Sequence, residues 1–140
     1  MTARRAPLLV ALAAAAAGLA ISIYLTLVHY SGAPLVCSVG GPVNCERVLT
    51  SPYGVIAGTA IPTSAAGILW FAVAGALALL RLLSPVRIHA LHVAWAAAGL
   101  VTVVGLVNIE VDRLGAICAW CTAAHACVVV TCMTVPWARR

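Results

Sequence analysis

Residues 8–28 read LLVALAAAAAGLAISIYLTLV, from Leu8 to Val28, with no charged side chain in 21 positions. At 1.5 Å per residue, a helix of that length crosses the ~30 Å hydrocarbon layer of a bilayer. The same pattern recurs three times. Thr63 to Leu80 stays uncharged up to Arg81, Ile88 to Val107 follows Arg87, and Ala116 to Trp137 precedes Arg139-Arg140. We therefore expect an all-α integral membrane protein with spans at about 7–30, 62–83, 86–107 and 116–137, forming one membrane domain over 1–140. Pro62 suits the first position of a helix, and Ser84-Pro85 suits a turn. A secretory signal is the rival reading of the first run, with Arg4-Arg5 before it and Ser31-Gly32-Ala33 after it. The run exceeds the ~7–15 apolar residues of such signals.

Composition agrees with the spans. Hydrophobic residues make up 64% of the 140, charged residues 8%, and the mean hydropathy of +1.12 lies far from a soluble domain. The net charge of +5 comes from eight arginines and no lysine. A nucleic-acid surface would gather them on one face, whereas these fall between apolar runs, so the expected surroundings are a lipid bilayer and not a nucleic acid. Arg4, Arg5, Arg81, Arg87, Arg139 and Arg140 fall on one side of the four spans; Arg47 and Arg113 fall on the other. The arginine-rich side is expected to be cytoplasmic, with both termini inside. That implies a multi-pass protein of the cytoplasmic (inner) membrane. Short connections make neighbouring spans antiparallel, which gives a four-helix bundle.

The longest connection, 31–61, is broken by Gly32, Pro34, Gly40, Gly41, Pro42, Pro52, Gly54 and Gly58. Loops of that length tend to be functional. This one lies on the outer face and carries Cys37 and Cys45. Asn44-Cys45-Glu46-Arg47-Val48-Leu49 is suited to a short helix capped by Asn44, lying on the membrane surface with Val48 and Leu49 inward. The last connection, Asn108 to Gly115, reads as a short polar loop with Glu110 and Asp112 solvated; a proton relay is the second reading of these acids.

Ile117-Cys118-Ala119-Trp120-Cys121 places a C-x-x-C pair at the start of the fourth span. Unpaired N–H groups and the positive end of the helix dipole favour the thiolate there. Cys132 lies ~16 Å deeper by helix rise, and Cys127 points to another face. Both read as packing residues. The other four cysteines form two pairs on the outer side, in a compartment that permits disulfides. Thiol–disulfide exchange between the pairs needs only a thiolate that reaches a disulfide sulfur, and Cys118 at the helix entrance reads as the more reachable of its pair. A structural Cys37–Cys45 disulfide is a second reading. A zinc site is a third, but the C-x7-C spacing does not suit it, so no metal is expected. The spacing leaves the resting pattern open between Cys37–Cys45 with Cys118–Cys121 and a Cys45–Cys118 bridge.

The order Cys37-x7-Cys45, then Ser51, then Cys118-x-x-Cys121 at the head of the fourth helix resembles the vitamin K epoxide reductase family. Gly18 to Tyr24, Cys45 to Ser51 and Gly67 extend the resemblance over nearly the whole chain. It implies that Cys37 exchanges electrons with a thioredoxin-fold protein and that Cys45 passes them to Cys118. Cys121 then faces a quinone, menaquinone or ubiquinone, bound in the bundle, and Ser51 supports the site. His125 stands where animal members have a tyrosine, and Thr63 with Ser64 stand nearest their asparagine, so these three are the expected quinone contacts. Many bacterial members carry a fused thioredoxin-like domain. Here the partner is expected to be a separate extracytoplasmic protein, and the direction to be oxidative, supporting disulfide formation in exported proteins.

Two other readings compete. The other bacterial quinone-linked disulfide oxidase places its C-x-x-C at helix 2 and its wider pair later, the reverse of the order here. A small four-helix transporter with structural cysteines would need a buried acid in its first helix, and Leu8 to Val28 has none.

Overall fold

The computed structural model of the chain describes residues 2–37, 40–83 and 88–138. It is all-α. Helix α1 spans Thr2–Ser31, α2 Cys45–Leu49, α3 Thr63–Leu83, α4 His89–Asn108 and α5 Ala119–Thr134. Four of these segments are long and apolar enough to cross a membrane: Arg5–Ser31, Thr63–Leu83, His89–Leu114 and Ala119–Trp137. The chain is a multi-pass membrane protein with a four-helix bundle, and α2 lies in the long connection between the first two spans. The Ser84-Pro85 turn and the arginines Arg87, Arg139 and Arg140 lie outside the described residues.

Small residues set the helix spacing. A Cβ at Gly18 would collide with the Phe71 ring, so α1 and α3 approach only because that position is bare. Farther along the same contact, Thr26 Oγ1 and Ser64 Oγ share a hydrogen bond of 2.8 Å. Helices α3 and α4 are tied by a reciprocal pair: Trp70 Nε1 donates to the Trp95 carbonyl at 3.2 Å, and Trp95 Nε1 to the Trp70 carbonyl at 3.1 Å. Ala15, Phe71, Ala74, Val103 and Val128 form the buried centre, with Cys127 packed against it. Leu27, Leu69, Val101 and Met133 point outward, toward lipid in a bilayer, where apolar side chains carry no penalty.

The end of the bundle away from the cysteines is closed by Arg81. Its guanidinium meets His92 Nδ1 at 3.2 Å and His89 Nδ1 at 2.9 Å, and donates to the Ala138 carbonyl. The last turn of α3, the first turn of α4 and the segment after α5 therefore share this end.

The polar connection expected over 108–115 is instead helical. Helix α4 passes without a break into a π-helical turn, Ile109–Leu114, which Gly115 terminates in the left-handed region at φ 57°. Because the segment stays helical, Glu110 falls on the face that Ala96, Gly99 and Val103 bury. Asp112 and Arg113 remain exposed, whereas Glu110 is buried at 6% exposure.

Candidate functional site

The loop is fastened to the head of α5 by main-chain bonds. Asn44 N–H donates to the Ile117 carbonyl at 3.0 Å, and Ile117 N–H to the Pro42 carbonyl at 2.9 Å. Val43 and Ile117 form an isolated parallel bridge. Farther out, Trp120 Nε1 donates to the Val36 carbonyl at 2.8 Å, which holds the segment leading to Cys37 against α5. Trp120 also packs on Tyr24, with ring centroids 5.0 Å apart.

Asn44 caps α2 as its residue type predicts, its Oδ1 accepting the Arg47 N–H at 2.9 Å. Val48 turns inward and is buried, and Leu49 is partly buried. Ser51 closes the other end of α2. Its hydroxyl donates to the Val48 carbonyl at 2.8 Å and accepts the Tyr53 N–H at 3.3 Å.

These bonds bring the four cysteines together. Cys37 and Cys45 are joined as a disulfide, while Cys118 and Cys121 are thiols. Cys45, Val48, Ala116 and Cys118 form one buried cluster, with Cys37, Trp120 and Cys121 packed at its edge. Cys118 is fully buried under the loop. From sequence, Cys118 reads as the member of its pair more reachable by a loop cysteine; the docked cover closes it to water. It shares its buried cluster with Cys45.

Cys118 is the N-cap of α5, extended at φ −95°, ψ 118°, and its Sγ accepts the Cys121 N–H at 3.3 Å. The hydrogen bond from the Cys121 thiol, with further bonds from the Cys121 and Trp120 backbone N–H groups, holds the Cys118 thiol below the usual cysteine range. Burial and the Glu110 carboxylate oppose that shift without overcoming it.

Behind the pair lies a cavity of about 260 Å³, slightly below the ~300 Å³ where small-molecule pockets begin. Its walls are mainly apolar, from Leu25, Val48, Trp70, Phe71, Val103 and Leu106, and its polar groups are few. Cys121 and His125 line it from α5, one turn apart, and Ser51, Thr63 and Ser64 line it from the loop and α3. All the expected site residues other than Cys37, Cys45 and Cys118 thus meet at this cavity. His29 reads as an interfacial anchor, and Glu110 as a solvated loop residue, yet both line the cavity. Glu110 Oε2 also accepts the Cys118 N–H at 3.3 Å. Among the described residues, no group of three or more His, Cys, Asp and Glu is arranged to hold a metal.

No curated protein matches the chain. The model of the vitamin K epoxide reductase family matches residues 9–135, from within α1 to the end of α5. The matched stretch holds both cysteine pairs and reaches into all four membrane-crossing segments. The chain therefore belongs to the vitamin K epoxide reductase family and is a membrane thiol–disulfide oxidoreductase.

Proposed function

We propose that the chain carries electrons from an extracytoplasmic thioredoxin-fold protein to a membrane quinone, menaquinone or ubiquinone, and so supports disulfide formation in exported proteins. Cys37 exchanges with the partner, Cys45 passes the electrons to Cys118, and Cys121 faces the quinone. The observation that carries this reading is the seating of Cys45 beside Cys118 in one buried cluster, with Cys121 opening from that cluster onto an apolar cavity. A cavity of this size and lining suits a flat apolar ring with a few polar groups at its rim.

Bound there, the quinone supplies a two-electron, two-proton acceptor. The chain does the rest. The partner's thiols reduce the Cys37–Cys45 disulfide, and the resulting Cys45 thiolate attacks Cys118 of a Cys118–Cys121 disulfide. The exchange re-forms Cys37–Cys45 and leaves Cys118 and Cys121 reduced. The cover shields Cys118 from bulk water, and the apolar walls keep water from the acceptor. His125 orients the ring from α5, with Thr63 and Ser64 opposite and Ser51 holding the cover. The end bearing Arg81 faces the cytoplasm, where the positive-inside rule puts most of the arginines, and the cysteine end faces outward.

The test is quinone absorbance with purified protein, a soluble quinone analogue and a reduced thioredoxin-fold donor. Wild type is expected to reduce the quinone. Cys37→Ala is expected to lose that activity and recover it with a small membrane-permeant dithiol, whereas Cys121→Ala recovers with neither donor. Inactive wild type, or full activity in both variants, overturns the reading.

A further inference from the structure

The chain has three acidic residues. Glu46 and Asp112 are exposed, but Glu110 is buried on the cavity wall, in a segment that spans the membrane. Buried acids in such segments are costly and are found where they have work to do. Glu110 Oε2 accepts the Cys118 N–H, and among the described residues no ion pair compensates the carboxyl. The titratable groups around it are Cys118, Cys121 and His125 from α5, His29 from α1 and Tyr53 from the loop, all but Cys118 across the shared cavity. From α2, Glu46 and Arg47 are exposed, as are Asp112 and Arg113 on its own turn. Cys118 is the residue placed to become a thiolate, as N-cap of α5 with N–H donors and the Cys121 thiol on its sulfur. Two negative charges side by side in an apolar wall repel strongly, and one buried carboxylate without a cation is already expensive. The site accommodates one such charge.

We propose that Glu110 and Cys118 share a single negative charge, with Glu110 binding a proton when the Cys118–Cys121 pair is reduced and giving it up when the pair is oxidised. The use of that proton rests on the quinone reading above. The Cys118 thiolate and Cys121 thiol form a disulfide, two electrons pass to the quinone, and the Cys121 proton plus the Glu110 proton complete the hydroquinone. The charge moves from the Cys118 sulfur to the Glu110 carboxylate. When the loop dithiol next reduces the pair, its two protons are divided between Cys121 and Glu110, Cys37–Cys45 re-forms, and the charge returns to Cys118.

The proton uptake is measured without quinone or partner. The full chain is equilibrated with dithiothreitol between about pH 6 and 8, where that reagent is a two-electron, two-proton couple. The state of Cys118 and Cys121 is then read by alkylation and mass. Wild type takes up two protons, so its equilibrium with dithiothreitol is flat with pH. Glu110→Gln takes up one, so its equilibrium moves about tenfold per pH unit toward the reduced pair as pH rises, ~30 mV per unit. A tenfold slope in wild type, or a flat profile in Glu110→Gln, overturns the proposal. Infrared difference spectra of wild type alone decide it if the variant does not fold. A carboxylic acid C=O band appearing on reduction of the pair supports the proposal, and its absence sinks it. Failure of the quinone assay with these results intact would remove the quinone reading and leave the shared charge standing.

Discussion

Cys45 and Cys118 come from opposite halves of the chain and lie in one buried cluster, each with almost no exposed surface. The cover that buries them is held by main-chain bonds between residues 42–44 and Ile117 and by the Trp120 to Val36 bond. The loop is therefore seated over the α5 N-terminus.

The first prediction concerns Cys118 as a nucleophile. Its thiol is held below the usual range chiefly by the Cys121 thiol bond, so more of it is thiolate at a given pH than in the unfolded chain, and its reactivity persists to lower pH. With the loop disulfide reduced, the alkylation of Cys118 is expected to titrate below ~8.5, the ordinary cysteine value. Cys121→Ala is expected to move that profile upward, and Cys121→Ser, which keeps a donor, to move it less.

Ser51 ties the end of α2 through two hydrogen bonds. Ser51→Ala is expected to cost about 1–2 kcal/mol, the scale of such losses. It should appear as lowered thermal stability in detergent and as faster proteolysis at the loop. Ser51→Thr, which keeps the hydroxyl, is expected to stay near wild type.

Removing a polar contact from an apolar pocket costs on the order of 1–3 kcal/mol. His125→Phe fills the same wall without a hydrogen-bonding atom, so KM for the quinone is expected to rise about 10-fold or more. Cys118–Cys121 exchange with the loop should be unchanged. Equal loss in both would show a structural role instead.

Gly18 sits against the Phe71 ring with no space for a side chain. Gly18→Leu is expected to separate α1 from α3 and to destabilise the bundle by about 1–3 kcal/mol, the usual cost of overpacking. Thermal unfolding in micelles checks it, and paired Gly18→Leu, Phe71→Ala should recover part of the loss.

The four spans were legible because charge-free runs of bilayer length admit few alternatives, as with Leu8 to Val28. The short helix after Asn44 was legible from its capping residue. Glu110 was not. Its sequence neighbours are polar and read as a loop, but the helix runs on through Ile109–Leu114, and Glu110 then falls on the inward stripe of Gly99, Val103 and Leu106 while Asp112 and Arg113 stay out. His29 was missed for a related reason: a histidine at a span end suits an interfacial anchor, and its place on the cavity wall depends on α1 packing. The docking of the loop on Ile117 had no side-chain signature, since the bonds that make it are main-chain ones.

The most direct measurement is to trap the exchange itself. In Cys37→Ala with Cys121→Ala, the loop thiol and the α5 thiol each lose the partner that would resolve a mixed disulfide. Mild oxidation of this variant in membranes, followed by proteolysis and mass analysis, is expected to yield a Cys45–Cys118 crosslinked peptide as the main species. Recovery of both as separate thiols, or crosslinks of Cys45 to Cys127 or Cys132 instead, would contradict the relay.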